Sequence, residues 1–270
     1  MSAFQEIKDR QRRMWTVGDF PDIAKRTVPA AEAAVERLAI GAGEKVLDVA
    51  TGSGNGALLA AERGAVVSGL DLTPKLLAVA TERAAAAGVE IDFVEGDAEA
   101  LPYGDGAFDA VISMFGVMFA PDQQRAADEL TRVCRPGGRI GVAAWTPAGE
   151  VGQLFMLLAQ HLPPPPEGFQ PPILWGVEDH VRGLFAASAA SVTCTLERAR
   201  FESGSVEAMM VEDEEKLGPV ILAREALEPE GRWQQVRAKL IELIESANQA
   251  ADGSVVLKPE YLLSVVELPD

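Results

Sequence analysis

The stretch Val46-Leu47-Asp48-Val49-Ala50-Thr51-Gly52-Ser53-Gly54-Asn55-Gly56 decides how the rest of the chain is read. It begins as a short apolar run holding one carboxylate, passes through a glycine cluster, and continues into an Ala/Leu-rich segment that stops at Gly64. Glycines directly after a strand allow a tight turn and let a ligand approach the backbone. The helix behind them offers free N–H groups and the positive end of its dipole. Alone, Gly52, Gly54 and Ala57 match the loose G-x-G-x-x-G/A dinucleotide pattern, with Asp71 roughly 20 residues further on.

Working outward, the same grammar repeats. A second strand is predicted over 65–70, ending at Asp71, and Thr73 then stands as an N-cap before Pro74, a residue suited to the first helical position. That helix should run to Ala87 and stop at Gly88. Strands over 91–94, 109–114 and 139–145 follow, with a helix over 122–133 and a stop at Pro136-Gly137-Gly138. Strands alternating with helices of this length predict an α/β fold with a parallel sheet covered on both faces. After Thr146 the pattern changes: residues 147–190 carry a short apolar helix, a proline-rich stretch and two isolated bulky groups, Phe169 and Trp175, and read as a lid or insertion. Beyond it, 191–201, 255–257 and 261–268 read as strands, and 205–218 and 231–250 as helices. The first 40 residues read as one or two helices.

Three successive strands end in carboxylates, Asp48, Asp71 and Asp97, at the sheet edge where open α/β folds bind ligands. Pyrophosphate would find the charge of Asp48 unwelcome, whereas a cationic ligand bearing ribose hydroxyls and an adenine suits all three. The motifs VLDVATGSG, VSGLDLTP, EGDAEALPYGDGAFDAVIS and CRPGG, in this order over about 40–147, resemble the class I S-adenosylmethionine-dependent methyltransferases. Within that class the resemblance is to the small-molecule branch that includes the menaquinone and ubiquinone C-methyltransferases. It implies a Rossmann-like sheet of seven mostly parallel strands with helices on both faces. The last two strands would come from 191–268, the final one antiparallel. It also implies S-adenosyl-L-methionine as cofactor and S-adenosyl-L-homocysteine as product. The Ala50–Gly54 loop, with Gly52, would pass the methionine part, and Asp71 would chelate the ribose with Leu72 beside the adenine. Asp97 and the Ala98 backbone would read the adenine edge, and the Ser113 backbone would face the methionine amino group. On this reading the chain is one domain: an N-terminal helical cap (1–40), a cofactor-binding core (41–146), the insertion between strands five and six (147–190), and the remainder of the sheet with its helices (191–270).

Composition narrows the partners. With 41 Asp plus Glu against 24 Lys plus Arg, the formal charge is −17, which argues against nucleic acid, whose phosphates need clustered cations. Two cysteines and two histidines offer neither a disulfide framework nor a metal cluster. No signal-peptide pattern or membrane-spanning run is visible, so a soluble, cytoplasmic protein with no membrane insertion is expected.

A sulfonium is already a good leaving group, so transfer to a small, partly apolar acceptor requires mainly alignment and exclusion of water. No catalytic residue is assigned from sequence. The acceptor pocket is expected between the 115–119 segment, the N-terminal helices and the insertion, with Trp15, Phe115, Met118 and Trp175 as candidates. His180, following Glu178 and Asp179, reads as a surface histidine favouring its charged form. The Lys8, Arg10, Arg12, Arg13 island and the Glu212-Asp213-Glu214-Glu215 run read as solvated, the latter as a helix start favoured by the dipole. Two other classes remain: a nicotinamide-dependent oxidoreductase using the glycine loop for pyrophosphate, and a non-catalytic S-adenosylmethionine-binding protein.

Overall fold

The computed structural model describes residues 3–270; Met1 and Ser2 of the expected N-terminal cap lie outside the described residues. The chain begins with α1 (Ala3–Thr16), α2 (Phe20–Ala24), a 3-10 turn at Lys25–Thr27 and α3 (Val28–Arg37). Then β1 (Lys45–Val49), α4 (Asn55–Glu62), β2 (Val66–Asp71), α5 (Pro74–Ala87), β3 (Ile91–Glu95), β4 (Phe108–Met114), α6 (Gln123–Val133) and β5 (Cys134–Trp145) follow. The second half holds α7 (Glu150–His161), α8 (Glu178–Leu184), β6 (Ser191–Arg198), β7 (Phe201–Ser203), α9 (Val206–Lys216), α10 (Gly218–Leu227), α11 (Trp233–Ala247), β8 (Val255–Leu257) and β9 (Glu260–Glu267).

Seven strands form one sheet in the order β3-β2-β1-β4-β5-β9-β6. β1 to β5 pair in parallel, and β9 runs antiparallel to both β5 and β6. The seven-stranded sheet and its antiparallel strand match the expectation. Side chains alternate between faces: Val46, Ala110 and Ile112 pack with α3 and α4, while Leu47 and Val111 join Leu130 and Val133 of α6 on the other side. The strand order reverses between β1 and β4, so the crevice beyond their carboxyl ends is the place such sheets offer a ligand.

Local chemistry departs from expectation at three points. Thr73 is the N-cap of α5, yet its side chain makes no capping bond; its N–H instead donates to Asp71 Oδ1 at 2.8 Å. Pro136-Gly137-Gly138 lies within β5, where the register against β4 shifts, and does not precede the strand. The 147–190 insertion is divided: α7 leaves the sheet, whereas the Pro172–Gly176 turn and α8 return to it and bury Trp175 against Phe185.

A larger excursion lies between β6 and β9. Here β7 and β8 form a separate ribbon, and α9, α10 and α11 join α7 around Leu158, Met210, Val220, Leu227, Trp233 and Leu240. This helical layer has its own apolar core and lies over the strand ends. The second half of the chain therefore builds a roof as well as finishing the sheet.

Candidate active site

The floor of the site is the β1–α4 turn. Ala50 adopts φ +53°, Gly52 +57° and Gly54 +86°, so the chain reverses within a few residues, and left-handed backbone is cheap for the two glycines. Asp48 holds the turn from beneath: its Oδ2 accepts from Thr51 Oγ1 at 2.7 Å and from the Ala57 N–H at 2.8 Å. A Cβ on Gly56 would lie 3.0 Å from the same oxygen and 2.8 Å from Ile112 Cδ1, so glycine is needed for α4 to sit on the carboxylate. Asp48 Oδ1 has no hydrogen-bond partner. Burial, with a smaller push from Asp71, raises the Asp48 carboxyl to about 7.

Asp71 ends β2 with one oxygen accepting from the Gly52 N–H and the other from the Thr73 N–H, both at 2.8 Å. Burial raises its pKa against those two bonds. A carboxylate has about four acceptor positions, so Asp71, which lines the cavity, retains acceptor capacity for hydroxyl donors. Asp97 follows β3; its Oδ1 accepts from the Glu99 N–H at 2.9 Å and its Oδ2 from Lys8 Nζ at 2.7 Å. α1 thus lies across this half of the cavity. Lys8 also pairs with Glu99, Gln11 donates to the Phe119 carbonyl, and Arg12 Nε donates to the Leu72 carbonyl at 3.2 Å.

The other half is aromatic and aliphatic. Phe115, at φ +58°, stacks on Trp145 with centroids 4.1 Å apart, and Tyr261 and Phe201 meet this pair edge-on. A second cluster joins Trp15, Phe20, Phe119 and Phe155. Met209 and Met210 of α9 and Leu240, Leu243 and Ile244 of α11 close the top. Asp213 and Arg26 also line this space. Among the described residues no group of His, Cys, Asp or Glu is arranged to hold a metal ion, and no helix is long and apolar enough to cross a membrane.

Of the sequence-predicted positions, Ala50, Gly52, Asp71, Leu72, Asp97, Ala98, Trp15 and Phe115 line one continuous cavity. Asp48, Gly54 and Ser113 do not line it. Asp48 and Gly54 shape the loop from behind, and Ser113 Oγ donates to the Val49 carbonyl and accepts from the Val117 N–H, tying β4 to β1. Met118 and Trp175 are fully buried in the core, away from the cavity, which corrects their expected place in the acceptor pocket. His180 bonds Gln123 Oε1 at 2.7 Å, and burial lowers its pKa, contrary to the expected acidic influence. Of the basic island, Arg10 and Arg13 are exposed as expected, Arg13 pairing with Glu225, whereas Lys8 is withdrawn onto Asp97 and Glu99 and Arg12 bonds the Leu72 carbonyl.

Sequence reasoning missed Lys8, Arg26 and Asp213 as cavity residues. Asp213 was readable: Met209, Met210, Asp213 and Leu217 share one helical face by their spacing, so a carboxylate occupies an apolar stripe. The run 212–215 lies in the last half of α9, where the dipole opposes it; the helix begins instead at the Ser205 cap, whose Oγ accepts from the Ala208 N–H.

Residues 47–142 match a family model described as a methyltransferase domain. An uncharacterized protein of Mycobacterium tuberculosis is 41% identical over 271 residues, covering 97% of this chain and 96% of its own length. A demethylmenaquinone methyltransferase of Thermus thermophilus is 44% identical over 125 residues, covering 45% of this chain and 57% of that enzyme. Among solved structures, the YcgJ protein of Bacillus subtilis matches with a TM-score of 0.60 at 17% identity, over 89% of this chain and 98% of that one, a likeness of fold. With the glycine loop and the strand ends bearing Asp48, Asp71 and Asp97 inside the matched region, the chain belongs to the class I S-adenosylmethionine-dependent methyltransferases.

Proposed function

We propose that the chain binds S-adenosyl-L-methionine between the 50–53 turn, Asp71, Leu72 and Asp97, and methylates a small, partly apolar organic acceptor held beneath α9 and α11. The observation that carries this reading is Asp71, a buried carboxylate fixed by two backbone N–H groups and still facing the cavity. Its chemistry fits ribose hydroxyls, which donate, and repels phosphate, which does not. Asp48 points the same way, because it already takes the Ala57 N–H in the first turn of α4, a donor that a pyrophosphate would need. A ribose-binding acid is common to both cofactors, so it is Asp48 that disfavours the nicotinamide alternative.

When bound, the cofactor supplies a methyl carbon on a sulfonium, a good leaving group. The protein's part is then to hold the acceptor in line and to keep water out. The stacked Phe115–Trp145 pair and the methionines of α9 offer flat and adaptable apolar surface for this. The demethylmenaquinone methyltransferase relative supports an acceptor that is organic and ring-bearing. Equilibrium titration checks the cofactor: the protein should bind S-adenosylhomocysteine and not NADH, and the opposite preference would overturn the reading. Turnover of any methyl acceptor would exclude the non-catalytic alternative.

A further inference from the structure

The apolar half of the cavity contains a charged group without a hydrogen-bond partner. Asp213 of α9 is only 7% exposed, lines the cavity beside Met209 and Met210, and its Oδ1 has no hydrogen-bond partner. The nearest cation is Arg26, whose Nη1 stands 3.7 Å from that oxygen, beyond hydrogen-bond reach. Arg26 is otherwise committed: it pairs with Glu212 and lies over the Phe201 ring, 5.4 Å from its centroid. Leaving a buried carboxylate without a hydrogen-bond partner is costly, and the 3.7 Å ion pair with Arg26 offsets that cost only in part.

Resting on the methyltransferase reading, we infer that Asp213 recognises the acceptor, its carboxylate accepting a hydrogen bond from a hydroxyl, a phenol foremost, on an otherwise apolar molecule. An ammonium fits less well, because the Arg26 guanidinium already stands on that side of the carboxylate. A hydroxyl donates one proton and adds no charge. The surrounding Phe201, Trp145 and Met209 suit a ring carrying that hydroxyl. Selectivity follows from this carboxylate, since a molecule without a donor leaves it buried without a hydrogen-bond partner.

The carboxyl is governed by burial, which pushes it up to about 7; Arg26 opposes this, and Glu212 and Glu214 on the same helix reinforce it. Glu212 is itself held by Arg26 and by Lys216, which also bonds Asp22 of α2, and Glu214 is held by Arg237 and Trp233 of α11. A donor hydroxyl stabilises the ionised form, so recognition strengthens as pH rises through this range.

The test compares 4-propylphenol with its methyl ether, 4-propylanisole, by calorimetric titration of the S-adenosylhomocysteine-loaded protein. At pH 8.5, where the phenol is still neutral, the wild type should bind the phenol about ten-fold more tightly than the ether. The ratio should shrink at pH 5.5, shrink at pH 8.5 in Asp213→Asn, and approach one in Asp213→Leu. Both substitutions remove a buried charge whose ion pair with Arg26 is long, at 3.7 Å, so the thermal midpoint should hold or rise. An Asp213 serving only the Arg26 pair would give the reverse: lower stability and an unchanged ratio, which overturns the proposal. Should the wild type bind no S-adenosylhomocysteine, the methyltransferase reading falls. The probe ratios, measured equally on the bare protein, still decide for or against Asp213.

Discussion

Ala50 and Phe115 end the adjacent strands β1 and β4, and both are non-glycine residues with positive φ. Such backbone costs of order 1–3 kcal/mol per residue and survives where surroundings over-determine it. Gly116 is part of that surrounding: a Cβ there would fall 2.5 Å from the Ala50 carbonyl oxygen and 2.6 Å from its Cβ. Gly116→Ala should therefore spread the two strand ends, lowering stability by about 1–3 kcal/mol in urea denaturation and weakening S-adenosylhomocysteine binding as well. Asp71→Ala acts on the ligand more directly. Removing the charge-assisted acceptor should cost about 1–3 kcal/mol of cofactor affinity, read by titration of the folded variant. An unchanged isotherm would remove Asp71 from the ribose.

At the scale of elements, α1 is fastened to the cofactor half by polar bonds from Lys8, Gln11 and Arg12, while its Trp15 packs between Phe20 and Phe119. Burial alone would lower the Lys8 pKa, but the bonds to Asp97 and Glu99 outweigh it and leave it raised. Lys8→Met should loosen this strap, so that S-adenosylhomocysteine dissociates several-fold faster in stopped-flow measurements, whereas raised salt should change the wild type little, because these ion pairs are largely buried. None of this was visible in the sequence, because a basic helix looks the same whether its partners are water or carboxylates from elsewhere in the chain. The elements from β1 to β5 were legible for the opposite reason. Strands buried on both faces read as apolar runs, and Gly64, Gly88 and Pro74 punctuate them locally. α10 was missed since Gly218-Pro219 reads as a stop after α9, whereas Pro219 occupies the first turn of a new helix.

For the molecule as a whole, the candidate site was half legible: the side proposed for the cofactor follows from strand-end residues, but the side proposed for the acceptor is assembled by α2, α7, α9 and α11, segments that only tertiary packing brings together. The same assembly governs pH response. Asp48 and Asp213 ionise ordinarily near 3.8 and in the fold near 7, so between those values the native state holds protons that the unfolded chain has released. Their ionisation therefore reduces stability as pH rises from about 4 through about 7. Asp22, lowered to about 2 by Lys216 and Lys25, contributes oppositely, but only below its ordinary value. The ligand-free protein should thus melt a few degrees higher at pH 5.5 than at pH 8, and Asp48→Asn should flatten that difference in calorimetry. The roof has one more consequence, and it concerns time. β6 hydrogen-bonds only to β9, with residues 199–259 intervening. Until that whole excursion has been made and folded back, β6 has no neighbour and β5 presents a bare edge. Closing so long a loop is slow, which makes strand insertion a late event in folding and the unfinished β5 edge the point at which a stalled chain would meet its own copies.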